Sequence, residues 1–228
     1  MRKMQSTLLM LAAAIALFGP TLALAKNVKP ASSLLTPDNA AILLIDQQES
    51  LLSMVKSHDQ ASVKLNVVTL AHAAKEWGMP IVLSTVSAKQ QGPMFPEVTS
   101  MFPNLQIIDR STLNSMEDQN FIKAVEKTGR KKIIISGLFT EICVAFAALT
   151  AKEAGYEVYV VTDASGGTSL ESHTVAMDRM LQNKIVPMTT PVVIAELIRD
   201  WKSPYAKAGM NVLKDFRAAS EALKTSKK

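Results

Sequence analysis

Short aliphatic runs alternate with helix-length amphipathic stretches through the middle of this chain, and that alternation limits the possible folds most strongly. The runs are continuous and rich in β-branched residues, as is typical of parallel strands buried on both faces. They lie at residues 40–45, 81–83, 105–108, 133–135, 158–161 and 185–186. The stretches between them predict helices at about 60–77, 118–128, 140–154, 170–182 and 191–201.

A β-α-β-α order of this length predicts an α/β fold. We expect three layers, with a doubly wound, mainly parallel six-stranded sheet between helices on both faces, in a Rossmann-like arrangement. No internal repeat or low-complexity linker marks a second domain. We therefore predict a single domain over residues 26–228, with its core at about 34–202. A last helix at about 203–224 is expected to form a C-terminal tail that packs outside the core or against a partner subunit.

The first 25 residues have the pattern of a secretory signal peptide. Arg2 and Lys3 form a positive n-region, residues 8–18 are apolar, and residues 23–25 (Ala-Leu-Ala) match the small-x-small pattern, so cleavage is predicted after Ala25. An uncleaved anchor is the alternative, but a bilayer span needs roughly 20 apolar residues, and this run is shorter. We predict a periplasmic or secreted protein with no membrane association once the signal is removed.

Several classes of partner and cofactor find no support in the sequence. The formal net charge is +5, and much of the excess lies in the tail at 224–228, so no nucleic-acid footprint is present. The three histidines, His58, His72 and His173, follow no metal-ligand spacing, and none lies at a predicted strand end. Neither G-x-G-x-x-G nor a P-loop pattern occurs. We predict no metal and no cofactor, and a Cys–His dyad is not expected.

Cys143 is the only cysteine, so no internal disulfide can form and packing alone must hold the fold. A single cysteine is often just a small buried hydrophobic residue. Its position favours a second interpretation, because Cys143 lies shortly after Gly137, which ends the fourth aliphatic run. Thr140 is a natural N-cap for the next helix and would place Cys143 at the third helical position. There the helix N-terminus stabilises a thiolate, and backbone N–H groups can bind an oxyanion.

Polar residues follow several of the other predicted strands, where sites form in open α/β sheets. Asp46 comes directly after the first run, where a carboxylate is costly unless it has a partner; the alternative is a surface cap. Arg110 follows the third run, and its alternative is a solvated loop cation pairing with Asp109. Asp163 follows the fifth run, and its sequence context favours a turn or a supporting role.

Two segments, residues 43–48 (Leu-Leu-Ile-Asp-Gln-Gln) and residues 134–144, together resemble the isochorismatase-like cysteine hydrolases. The second contains a strand followed by G-x-x-T-[DE]-x-C-V, and the likeness extends over about residues 34–202. The resemblance implies an isochorismatase-type fold and a triad of aspartate, lysine and cysteine. Asp46 and Cys143 match two of these positions.

Arg110 stands at the lysine position of that triad, in register with Asn114, Asp118 and Phe121. This departure resembles the YcaC-like subgroup of the family. Since a guanidinium stays charged, its expected role is electrostatic rather than proton transfer.

The resemblance also implies details around the cysteine. It implies a cis peptide between Leu138 and Phe139, and an oxyanion hole formed by the N–H groups of Phe139 and Cys143. Residues expected to support the site are Gln48, Asn114, Thr140, Glu141 and Asp163. Some nicotinamidases of the family bind a metal through an Asp-x-His pattern, but residues 84–92 contain no histidine, so no metal is carried over.

The function implied is hydrolysis of a small amide or a related C–N bond by acyl transfer. Asp46 would be the general base, Cys143 the nucleophile, and a thioester the intermediate. The expected partners are a small-molecule substrate and further copies of the chain in a homo-oligomer. Two alternatives remain open at this point: a non-catalytic ligand-binding protein on the same fold, and a thiol-redox protein.

Overall fold

The computed structural model describes residues 29–226. The predicted signal peptide, residues 1–25, lies outside the described residues. The strands are β1 (Ala40–Ile45), β2 (Ile81–Val86), β3 (Ile107–Arg110), β4 (Lys132–Gly137), β5 (Glu157–Val161) and β6 (Val186–Met188). The α-helices of the described part are α1 (Glu49–Leu52), α2 (Gln60–Trp77), α3 (Ala88–Gln91), α4 (Pro96–Thr99), α5 (Gln119–Lys127), α6 (Ala145–Glu153), α7 (Leu170–Gln182), α8 (Thr190–Ile198) and α9 (Ala206–Ser226).

The six strands form one sheet in the order β3-β2-β1-β4-β5-β6, and every neighbouring pair is parallel. The chain winds outward from β1 to β3 and then returns to the other side of β1 with β4. The strand order therefore reverses between β1 and β4, which is the place where doubly wound sheets form their sites. The predicted doubly wound parallel sheet is confirmed.

Helices cover both faces of the sheet. Alternate residues of β1 point to opposite faces, so that Ile42 packs in one hydrophobic cluster and Leu43 in the other. The first cluster includes side chains of α2 and α8, and the second includes side chains of α5, α6 and α7. This arrangement explains why the strands have continuous apolar runs rather than an alternating pattern.

The ends of α2 follow local capping rules. The side chain of Asp59 accepts the N–H of Ser62 at 2.9 Å and begins α2, and Gly78 ends that helix with a φ of 62°. The last helix, α9, packs on α2 and α8, outside the sheet, through a small cluster that contains Ala73, Ile198 and Val212.

The third strand is displaced from its prediction. The aliphatic run at 105–108 predicted a strand that ends before Arg110, whereas β3 begins at Ile107 and includes Arg110 as its last residue. This strand lies at the edge of the sheet, where only every second side chain is buried, so the apolar run does not mark its bounds. Among residues 29–226, no helix has the length and apolar character needed to cross a membrane.

Candidate active site

Three strands bring the candidate residues to one edge of the sheet. Asp46 follows β1 directly, Arg110 ends β3, and Gly137 ends β4. Because the strands are parallel, their carboxyl ends lie at the same edge, and Ile45 pairs in register with Gly137. Arg110 reaches Asp46 from the outermost strand, across the end of β2.

The backbone holds Asp46 in an uncommon conformation. Its φ is 57°, in the left-handed region, and its N–H donates to the carbonyl oxygen of Ser84 on β2 at 2.8 Å. Non-glycine residues seldom adopt this conformation, and such residues concentrate at functional sites. The conformation turns the chain sharply at the end of β1, where the carboxylate meets Arg110.

Asp46 and Arg110 form a fully buried ion pair. Arg110 Nη2 lies 2.7 Å from Asp46 Oδ2, and both side chains have 0% exposure. The other terminal nitrogen of Arg110 donates to the carbonyl oxygen of Thr112, which fixes the plane of the guanidinium. Among the described residues, Asp46 Oδ1 and Arg110 Nε have no hydrogen-bond partner, so the pair is only partly satisfied. Because neither side chain reaches the surface, the surface alternatives for both residues are wrong.

The Cys143 thiol completes the group. Its side chain is 4% exposed and lies close enough to Asp46 and Arg110 for both charged groups to act on its pKa. Burial raises the pKa of Asp46 to about 6, against the opposing effects of Arg110 and of the thiol hydrogen bond. Burial and the neighbouring Asp46 charge raise the pKa of Cys143 to about 12, although Arg110 acts in the other direction.

These pKa shifts define the resting state. Above pH 6 the site holds a thiol beside a carboxylate, because the thiolate would be the stronger base of the pair and the proton therefore stays on the sulfur. The position of Cys143 at a helix N-terminus predicted a resting thiolate, whereas the raised pKa indicates a resting thiol. Desolvation and the Asp46 charge outweigh the field of the helix N-terminus. A thiol beside a carboxylate is an arrangement for general-base activation.

The segment Leu138–Val144, called the cysteine turn below, places the thiol. The peptide between Leu138 and Phe139 is cis, as the resemblance implied. Gly137 precedes the turn because a Cβ there would lie 2.7 Å from the carbonyl oxygen of Ile45. Residues 140–144 then form a π-helical turn that continues into α6.

The predicted N-cap role of Thr140 is wrong. Phe139 occupies the capping position with an extended backbone, and no side chain caps the helix. Thr140 is already the first residue of the π-helical turn, and its hydroxyl lies 2.9 Å from Nδ1 of His173. Cys143 is accordingly the fourth residue of the turn rather than the third helical residue. The hydroxyl is turned toward α7 instead of the helix N–H groups.

A second loop, residues 165–168, supports the cysteine turn from the end of β5. The N–H of Thr140 donates to the carbonyl oxygen of Gly166 at 2.9 Å. Oε1 of Glu141 accepts the N–H of Thr168 at 2.9 Å and its hydroxyl at 2.6 Å. A Cβ on Gly166 would lie 2.6 Å from Val55, so the loop can approach this closely only with glycine there. Thr140 and Glu141 thus connect the cysteine turn to this loop.

The other predicted supporting residues contact elements around the triad. Gln48 holds the end of β2, donating to the carbonyl oxygen of Gly92 at 2.6 Å and accepting the N–H of Val86 at 3.0 Å. Asn114 accepts the N–H of Met116 at 3.1 Å and donates to the Thr150 hydroxyl on α6 at 2.9 Å.

Asp163 lies farther from the chemistry. Its carboxylate accepts the N–H and the hydroxyl of Thr190 at 2.8 and 2.9 Å, which fixes the start of α8. This contact agrees with the turn-type role that its sequence context favoured. Within the described residues, no group of three His, Cys, Asp or Glu side chains is arranged to hold a metal ion.

Sequence reasoning missed His173. It set the histidines aside because none lies at a strand end, yet His173 is 5% exposed and contacts the cysteine turn. The available signal was its place one turn into α7, directly after the Gly166–Gly167 loop that follows β5. A helix that begins beside a site directs its first-turn side chains toward that site.

Comparison with known proteins decides the family. The model of the isochorismatase domain matches residues 40–192, which include Asp46, Arg110 and Cys143. The chain belongs to the isochorismatase family. This isochorismatase-family chain is 41% identical over 171 residues to the probable hydrolase YcaC of Escherichia coli strain K12, covering 74% of this chain and 82% of YcaC.

Solved structures agree with this assignment. The isochorismatase-family chain matches the crystal structure of Escherichia coli YcaC with a TM-score of 0.76 and 38% identity over 87% of this chain and 99% of that one. That protein is described as an octameric hydrolase of unknown specificity. The match to YcaC of Pseudomonas aeruginosa has a TM-score of 0.79 and 33% identity over 88% and 100% of the two chains. The predicted isochorismatase-like hydrolase, similar to YcaC, is confirmed.

Proposed function

We propose that this isochorismatase-family protein hydrolyses a small amide or a related C–N bond by acyl transfer through Cys143. One observation carries the proposal: the buried Cys143 thiol lies within the electrostatic influence of the Asp46 carboxylate, which is itself paired with Arg110 at 2.7 Å. This arrangement provides a nucleophile, a base that can take its proton, and a fixed positive charge near both.

The reaction would proceed in two halves. Asp46 takes the thiol proton while the sulfur attacks the carbonyl carbon, and the N–H groups of Phe139 and Cys143 stabilise the oxyanion. The protonated Asp46 then gives its proton to the leaving nitrogen, the C–N bond breaks and a thioester remains. In the second half Asp46 takes a proton from water and the hydroxide attacks the thioester. The C–S bond then breaks, the acid leaves, and Asp46 returns its proton to the Cys143 sulfur.

Arg110 serves this cycle without exchanging protons. Its guanidinium stays charged and therefore stabilises both the carboxylate and the thiolate that forms during attack. Because Asp46, Arg110 and Cys143 are almost entirely buried, the site favours a small acyl group. The structure of Pseudomonas aeruginosa YcaC with covalent acrylamide supports this choice, since acrylamide is itself a small amide.

We expect acrylamide to modify the wild-type protein at one place. The activated sulfur would add to the terminal alkene carbon while a proton passes to the neighbouring carbon. Intact-protein mass spectrometry should show the addition of one acrylamide, and peptide mapping should place it on Cys143, the only cysteine. A parallel screen of small aliphatic and aromatic amides, followed by ammonia release, tests hydrolysis itself.

Each half of that experiment can contradict the proposal separately. If no adduct forms, the proposal that Cys143 is an activated thiol is wrong. An adduct without ammonia release from any amide would favour the non-catalytic or thiol-redox alternatives over the hydrolase.

The rate of Cys143 modification should depend on pH through Asp46. Burial raises the pKa of Asp46 to about 6, so the carboxylate is the main form only above that pH. The second-order rate constant for acrylamide should therefore fall as the pH falls through 6 and become level above about pH 7. A thiol that reacts without a base would instead become about tenfold faster with each pH unit toward its own raised pKa. Stopped-time alkylation between pH 5 and about 9 separates these two profiles.

The oligomeric state and the cellular location of the protein are also proposals. We propose a homo-oligomer, supported by the octamer described for Escherichia coli YcaC. Export by a cleaved signal peptide, and hence a periplasmic or secreted location, remains a proposal that rests on residues 1–25 of the sequence.

A further inference from the structure

His173 on α7 is a buried titratable side chain beside the cysteine turn that the proposed mechanism does not use. It is 5% exposed, and both of its ring nitrogens have a threonine hydroxyl within hydrogen-bond distance. Nδ1 lies 2.9 Å from Thr140 Oγ1, and Nε2 lies 3.0 Å from Thr162 Oγ1. A neutral imidazole has one donor and one acceptor, and each hydroxyl can take either part, so both contacts are satisfied.

The surroundings keep this ring neutral and in place. Burial lowers the pKa of His173 to about 4, with a smaller contribution from His58 and an opposing one from Glu141. The two histidine rings meet edge to face, with centroids 4.5 Å apart and an interplanar angle of 77°. A neutral ring fixed by two hydrogen bonds and by a neighbouring ring can hold a partner in a defined position.

Thr140 is the partner that matters for the thiol. It begins the π-helical turn three residues before Cys143, and its own N–H is held by Gly166. Its backbone nitrogen is bonded to Phe139, whose N–H is one of the two proposed oxyanion donors. A movement of the Thr140 side chain would therefore be passed to the donor and to the sulfur, and a misplacement of 1 Å can cost about 100-fold in rate.

We infer that His173 is a positioning residue that, through the Thr140 hydroxyl, holds the cysteine turn in its reacting geometry. The inference rests on the proposed role of Cys143. The simple alternative is that His173 only fills space between α7 and β5, in which case the Thr140 contact has no effect on the thiol.

Two near-isosteric variants distinguish these interpretations. The side chain of His173→Asn ends close to the position of Nδ1 and can keep the contact with Thr140. The side chain of His173→Gln ends close to the position of Nε2 and can keep only the contact with Thr162. Both variants remove the ring and its packing against His58, so a packing role predicts equal effects, whereas a positioning role predicts unequal ones.

The first readout is the rate of Cys143 alkylation by acrylamide at pH 8. We expect His173→Gln to react at least about tenfold more slowly than the wild type, and His173→Asn to stay within about threefold of it. Thr140→Val should match the slow variant, and Thr162→Val, the matched control, should stay close to the wild type. The free energy of unfolding, measured in urea, should fall by the same amount in the Asn and Gln variants. Equal alkylation rates in these two variants would overturn the inference.

The second readout does not depend on the chemistry. Hydrogen–deuterium exchange of a peptide covering residues 138–144 should be faster in His173→Gln and Thr140→Val than in His173→Asn and Thr162→Val. If the wild type forms no acrylamide adduct, the proposed function fails, and the exchange pattern still decides whether His173 orders the turn. Unchanged exchange in Thr140→Val would reject the positioning role even if alkylation succeeds.

Discussion

Replacement of Cys143 by alanine is expected to eliminate hydrolysis of any amide substrate found for this protein, with a fall in kcat on the order of 10⁶. The variant removes the only atom that can form the thioester, and no second cysteine exists to replace it. Steady-state ammonia release with the best substrate measures the effect. Folding should be retained, because the loss of one buried sulfur changes the free energy of unfolding by only about 1 kcal/mol.

Cys143→Ser and Met210→Ala complete that experiment. The serine variant keeps a donor for Asp46 but not a reactive sulfur, so it should be as inactive as the alanine variant and form no acrylamide adduct. Met210 is 54% exposed on α9, and Met210→Ala should keep full activity. Turnover that survives in Cys143→Ala would show that the reaction does not need the thiol.

Arg110→Met is expected to lower the free energy of unfolding by about 3–5 kcal/mol. It leaves the Asp46 carboxylate buried without its partner, and a buried unpaired charge is among the most destabilising changes that a single substitution makes. Asp46→Asn should be costly for the same reason, because it leaves the Arg110 charge alone. Equilibrium unfolding in urea at pH 7.5 measures each of these values.

The double variant Asp46→Asn/Arg110→Met provides the decisive comparison. It contains no buried charge, so its stability should recover most of what each single variant loses. Glu49→Gln is a matched control in an exposed ion pair with Lys64, in which the glutamate side chain is 56% exposed, and it should cost less than about 1 kcal/mol. Additive losses in the double variant would contradict a coupled, desolvated pair.

The sheet was predictable because its strands are buried on both faces. Continuous β-branched runs such as Ile133–Ile135 favour strands over buried helix segments, and their alternation with helices then predicts a parallel sheet. The edge strand was less predictable. Only Ile108 and Arg110 of β3 are buried, so a hydrophobic run starting at Leu105 gave bounds two residues too early.

The protonation state of Cys143 could not be predicted from the sequence. The raised pKa of Cys143 depends first on its burial away from water and then on the nearby Asp46 charge, and neither is visible in local sequence. The capping rule also failed at Thr140, because tertiary contacts with Gly166 and His173 compete with the local cap and are stronger there. His173 faces the cysteine turn because of how α7 is rotated about its own axis, and the sequence does not determine that rotation.

The protonated state of Cys143 has a consequence for survival in an oxidising compartment. Thiolates rather than thiols attack peroxides and disulfides, and the raised pKa keeps the thiolate scarce at neutral pH. The sulfur would become nucleophilic only when an electrophile is held beside it and Asp46 can take the proton. If the proposed export is correct, the single cysteine of this chain would thus stay reactive for long periods without being lost to oxidation.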